Sequence, residues 1–288
     1  MGFLTDWIED FLRGLLVSGI MGNLGGLFDN VNNQVGEIAT TIGTSPAAFN
    51  PGVFSLIQNL SETVVLPIAG LILTFIATYE LITMIVEKNN LHDIDTWMFF
   101  KWVFKTMIAV VILSNTFTAV MAVFDVAGSV INSAAGIIGG STAVDPGMMA
   151  TFEAELMAMD IGPLVGIFLQ SFLVQAIVLV LDVVIFIIIY GRMIEIFLLT
   201  SLAPIPFATL SNQQFGSMGQ NYFKSLCAIG FQGFLIMVCV AIYAVLVQSI
   251  ATGGDPMGAI WAAIGYTVLL AFTLFKTGSL AKAIFGTS

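Results

Sequence analysis

Apolar residues in this chain come in long runs rather than in alternation. The runs cover Val64 to Ile85, Met98 to Phe124, Ile161 to Ile189, Leu226 to Ile250 and Met257 to Phe275. Each is close to the roughly 20 helical residues needed to cross a hydrocarbon core about 30 Å thick. Strands of a transmembrane barrel would instead alternate polar and apolar positions over about ten residues. The pattern predicts an all-α, polytopic membrane protein with five transmembrane spans.

The segments around these runs are patterned too. Phe3, Leu4, Trp7, Ile8, Phe11, Leu12, Leu15 and Leu16 recur at helical spacing, with Asp6, Glu9, Asp10 and Arg13 opposite them, which predicts an amphipathic N-terminal helix at an interface. Its acidic polar face differs from the Lys-rich kind that seeks anionic lipid. An acidic start is also unlike the basic opening of a signal peptide. Gly22 to Glu62 is polar, rich in Gly and Asn and broken by Pro46 and Pro51; two short helices joined by a loop are expected there. Pro67 falls in the first turn of the first span, where a missing N–H does little harm. Trp97, Trp102, Lys101 and Lys105 mark an interface at the start of the second.

Asp125 to Asp160 is too apolar for a disordered linker and too polar to span. Within it Gly128, Asn132, Gly136 and Gly140 recur every fourth residue, a small-residue stripe that would let another helix approach closely, unless the segment is a Gly-rich loop without a partner. Met148 to Asp160 forms a second amphipathic patch carrying Glu153 and Glu155. Met193 to Leu210 is apolar again but holds Pro204 and Pro206. Two prolines in three residues break a helix, and broken backbone at membrane depth must be covered by protein or water. A re-entrant or interfacial segment is therefore expected.

Composition narrows the function classes. The 288 residues are 58% apolar and 9% charged, with mean hydropathy +1.01, against about 25% charged residues in soluble chains. The two cysteines, Cys227 and Cys239, would lie about 18 Å apart on one helix, beyond disulfide reach. One histidine, His92, and no CxxC pair leave no metal-ligand set. No GxxxxGK[ST] loop and no GxGxxG after a strand are present, so nucleotide hydrolysis has no phosphate cradle. Intramembrane proteolysis lacks both its paired aspartates and its membrane histidine. A non-enzymatic protein without catalytic, cofactor or metal residues is expected, with bound phospholipid the one small molecule to look for.

Charge sets an orientation. If 193–210 returns to the side it came from, Lys88, Lys101, Lys105, Arg192, Lys224, Lys276 and Lys282 share one side and Arg13 alone lies opposite; a full crossing would split the cations evenly. The positive-inside rule selects five spans, with the N-terminus outside and the C-terminus cytoplasmic. The chain then divides into an outward N-terminal segment with its amphipathic helix (1–63), two spans (64–124), a long outward loop with short helices (125–160), and three spans (161–288) interrupted by the Pro-broken segment 193–223 and closed by a short cytoplasmic tail. The outward regions are acidic, which disfavours tight nucleic-acid binding there.

Two carboxylates fall inside spans. Asp182, ten residues before Arg192, would sit about 15 Å deep, and Glu80 lies seven residues before Glu87. Intramembrane carboxylates mark ion or substrate paths by default, so a small-solute or ion transporter using Asp182 and Glu80 is the alternative function. Hydrogen bonding within the helix packing, to Gln170, Gln175 or Asn115, is the plainer account. The i, i+3 spacing of Arg192 and Glu195 suggests a local ion pair.

The stretch Ser201, Leu202, Ala203, Pro204, Ile205, Pro206, Phe207, followed by the polar TLSNQQFGSMGQNYFK and the helix SLCAIGFQGFLI, resembles the TrbL-like polytopic inner-membrane subunits of type IV secretion and conjugation systems. The resemblance extends roughly from the first span to the last, with its sharp motif at 201–234. Tyr222 and Phe223 stand where that family commonly carries tryptophan, and the large extensions of some members are absent, as in the compact form of Gram-positive integrative conjugative elements. The resemblance implies a platform and channel subunit of the cytoplasmic membrane that forms a homo-oligomeric ring. Its implied partners are other secretion subunits, including ATPases, and membrane lipids, with single-stranded DNA and its relaxase in transit. Transporters of repeat architecture carry matching broken helices in both halves, and the first half holds no counterpart of SLAPIPF.

Overall fold

The computed structural model describes residues 2–87, 96–138, 146–212, 214–250 and 256–287, and among them there are helices and no strand. The helices are α1 (Gly2–Gly43), α2 (Pro46–Phe49), α3 (Pro51–Leu60), α4 (Leu66–Glu87), α5 (Thr96–Ser114), α6 (Thr116–Ile138), α7 (Pro146–Met157), α8 (Ile161–Leu202), α9 (Pro204–Thr209), α10 (Gly216–Ile250) and α11 (Pro256–Phe285). Among the described residues, six helical stretches are long and apolar enough to cross a membrane. The protein is all-α and polytopic, as its hydropathy predicts.

Six helices reconcile with five expected spans at Asn115. The Asn115 N–H donates to Val111 O and Ile112 O, both at 3.2 Å, and Ala119 N donates to Asn115 O at 3.0 Å. The helical ladder thus continues from α5 into α6 through a local distortion. Its cause is Thr116, whose Oγ1 donates to Ile112 O and Leu113 O; such back-bonding bends helices. The path extends to Ile138, so 125–138, expected in a loop, is helical.

Other elements are longer than expected for one reason. A glycine inside a helix costs only about 1 kcal/mol, which a long helix with packed faces outweighs. Helix α1 therefore runs through the Gly/Asn-rich stretch to Gly43, leaving only α2 and α3 as short helices before the first span. Both start on local caps: Ser45 accepts from Ala48 N and Asn50 from Val53 N, with Pro46 and Pro51 following at the first helical position. Helix α8 passes through Gly191 and Arg192 to Leu202, 42 residues in all.

Pro67 lies inside a helix, not in its first turn, because α3 leads directly into α4. It lacks the N–H that would bond to Thr63 O, and its ring crowds that carbonyl. The backbone widens just before it into a π turn, Ser61–Val65, in which Leu66 N reaches back to Ser61 O.

The chain forms two compact units. One comprises Met1–Gly43, Val130–Tyr190 and Phe234–Thr277. Its core gathers Val17 and Ile20 of α1, Ile131 of α6, Leu156 of α7, Leu164, Ile167 and Leu181 of α8, Met237 of α10 and Ile260 of α11. Two polar contacts accompany it, the part-buried Asn23 Nδ2 to Ser171 Oγ and the buried Tyr243 OH with Thr267 Oγ1, each 2.7 Å. Among the described side chains of α1, Leu16, Val17, Ile20, Leu24, Ile38 and Ile42 are buried apolar residues, while Trp7, Ile8, Phe11, Leu12 and Leu15 are exposed. Most of the predicted amphipathic stripe is therefore open in the single chain, with Trp7 and Phe11 stacked 5.9 Å apart.

The other unit comprises Thr44–Ser129, Gly191–Gly233 and Gly278–Ser288. It has one core of Val120, Phe124, Met193, Ile196, Phe197, Ala203, Phe207, Leu226 and Ile229, and a smaller one of Ala69, Leu73, Leu113 and Ala208. Leu113 is the buried residue of α5; Phe100 and Phe104 of that helix are about three-fifths exposed. In a membrane protein such faces meet lipid or other subunits.

Candidate functional site

The polar features with the most defined geometry all lie in the second unit. The first is the Pro-broken segment. Pro204 supplies no N–H, so Thr200 O loses its helical donor and takes Ala203 N instead, at 3.3 Å. That leaves Leu199 O without its own helical partner, and the Tyr222 hydroxyl donates to it. The Tyr222 ring stands edge-on to Phe207, centroids 6.0 Å apart. Pro204, Phe207, Ala208 and Thr209 are buried, so protein covers the break. Thr209 Oγ1 donates to Pro206 O (2.7 Å) and accepts from Gly219 N (3.1 Å). A Cβ on Gly219 would lie 2.6 Å from Pro206 O, so only glycine permits this approach. Ser201 Oγ bonds within its own helix to Leu198 O, while Leu202 and Phe223 point outward, about half exposed.

The second feature is Arg192. It is buried, with Nε donating to Ile229 O (3.1 Å) and Nη2 to Gly230 O (3.3 Å) of α10. Glu195 pairs with Lys282 of α11 at 3.1 Å. Both members of the expected local pair thus have partners on other helices, because at their depth the neighbouring helices present acceptors and a lysine at shorter reach.

The third is a cleft of about 470 Å³ lined by Tyr79, Glu80, Thr83 and Met84 of α4, Met98, Lys101, Trp102 and Lys105 of α5, and Asn212 and Gln214 of the turn before α10. Glu80 forms an ion pair with Lys105, not with the amides its position suggested. Lys105 was legible as a cation but not as this partner. Glu80 lies seven residues before Glu87, the end of α4, and Lys105 nine after Thr96, the start of α5, so the two fall at comparable distances from the helix ends that adjoin in sequence. Trp102 Nε1 donates to Ala77 O at 3.1 Å. Asn212 Oδ1 accepts from Gln214 N and Phe215 N, capping the entry to α10.

The remaining candidate residues are dispersed. Asp182 is half-buried on α8 of the first unit. Gly128, Asn132 and Gly136 follow one another along α6; Asn132 and Gly136 are exposed, and a Cβ on Gly136 would meet open space. Gly140, Lys88 and His92 lie outside the described residues.

The family described as TrbL/VirB6 plasmid conjugal transfer like protein matches residues 31–204, well over half of the 288 residues. The chain belongs to this family. The match takes in the Glu80–Lys105 pair, the small-residue positions of α6 and the whole of α8, and ends on Pro204 at the break. Of the motif on which the resemblance was first read, Ser201 to Pro204 fall inside the match, and Pro206, Phe207, Tyr222 and Phe223 beyond it. No curated protein and no solved structure matches the chain. It is a multi-pass membrane protein of the conjugal transfer family.

Proposed function

We propose that the chain is a structural, channel-forming subunit of a type IV secretion (conjugation) machine, and not an enzyme. As a homo-oligomeric ring in the cytoplasmic membrane it would help pass single-stranded DNA with its relaxase out of the cell. The observation that carries this reading is the family match over 31–204, falling on helices whose broad apolar faces are exposed among the described residues. Separate ATPases of the same machine would supply energy, and the machine would be that of a Gram-positive conjugative element. No cofactor is required. The exposed Gly136 on α6 offers close approach to a second copy, and a ring distributes one such interface around an axis. The transporter alternative loses support, since Glu80, one of its two carboxylates, is neutralised by Lys105.

The test is the mass of the full chain in nanodiscs, by light scattering with cryo-EM class averages. A closed ring of several copies is expected, and Gly136→Leu is expected to shift it toward smaller species. A monodisperse monomer would overturn the reading.

A further inference from the structure

We propose that the cleft between α4, α5 and the turn before α10 is a binding site for the phosphodiester headgroup of an anionic phospholipid. The inference rests on this cleft alone and is independent of the conjugal role. Its charge balance comes first. Glu80 neutralises Lys105, while Lys101 is exposed at the cleft and makes no hydrogen bond or ion pair with the described residues. One spare cation suits a monoanionic phosphodiester. A nucleic-acid backbone needs several cations to gain from counterion release, and a free phosphate dianion would carry an uncompensated charge into a half-apolar wall. Gln214, exposed at the rim, adds an uncommitted amide.

The walls supply the second part of the argument. Trp102 has its N–H committed to Ala77 O, so its ring serves as an apolar wall, together with Met84 and Met98. The two helices that form most of the cleft also expose Phe75, Ile82, Phe100 and Phe104, surfaces along which acyl chains can lie. Basic pockets between membrane helices, with aromatic residues at the headgroup level, are the general form of such sites.

The experiment is native mass spectrometry of the full chain, delipidated in detergent and given equimolar dioleoyl-phosphatidylglycerol and dioleoyl-phosphatidylcholine. Preferential retention of phosphatidylglycerol is expected. Lys101→Gln should lower the phosphatidylglycerol-to-phosphatidylcholine ratio about fivefold, the effect of one lysine near an anionic headgroup. Lys101→Arg should keep the preference, as should Lys224→Gln on α10. Equal retention of the two lipids, or a preference untouched by Lys101→Gln, overturns the proposal, and so does equal loss in Lys101→Arg. Displacement of the lipid by millimolar inorganic phosphate would reassign the cleft to free phosphate, and displacement by oligothymidylate to nucleic acid; either overturns the lipid assignment.

Discussion

At the scale of single residues, the break at Pro204 is repaired by one hydroxyl. The missing proline N–H shifts the hydrogen bonding of the last turn of α8 by one residue, and Tyr222 accommodates the carbonyl left over at Leu199. Tyr222→Phe keeps the edge-on packing on Phe207 but leaves a part-buried carbonyl unpaired, which costs about 1–3 kcal/mol. A lower midpoint in detergent thermal unfolding is the expected outcome; an unchanged midpoint would mean that water or lipid satisfies Leu199 O.

Between elements, Arg192 joins α8 to α10 in the second unit. A buried guanidinium whose fork meets two successive carbonyls is worth about 1.5–3 kcal/mol per charged hydrogen bond. An ammonium cannot reproduce that planar fork. Arg192→Ala is expected to lower stability and to raise chymotrypsin cleavage within 191–233, with Arg192→Lys recovering only part of the loss. Full recovery by lysine would show that charge, and not geometry, is what α10 recognises. The same comparison explains why the spacing of Arg192 and Glu195 misleads: adjacency on one helix competes with acceptors on the next, and here the neighbouring helices win.

For the whole molecule, the five crossings expected from the hydropathy runs, taken with the skewed distribution of lysines, predict an outward N-terminus. In a chain with Cys227 and Cys239 replaced by serine, Asp10→Cys is expected to react with a membrane-impermeant maleimide in intact cells. Lys224→Cys is expected to react only after lysis. The opposite pattern would reverse the orientation and place the acidic segments in the cytoplasm. The interiors of the helices were legible: each hydropathy run falls within helical backbone, and the Pro204–Pro206 interruption falls where α8 ends. Their ends were not, because Gly, Asn and single charges look like loop signals locally yet cost little inside a long, packed helix.

The sequence by itself determined that this is an all-α membrane protein and the position of its break. Those properties follow from run length and proline chemistry, which are local. Only the tertiary structure decided the partners. Glu80 with Lys105, Tyr222 with Leu199 and Arg192 with Ile229 are 25, 23 and 37 residues apart, and such pairs depend on the relative depth and rotation of neighbouring helices. Each core also gathers residues from segments distant in the chain. Uniformly apolar helices do not announce which face will pack, so the cleft and the clasp at Arg192 emerge only once the helices are side by side.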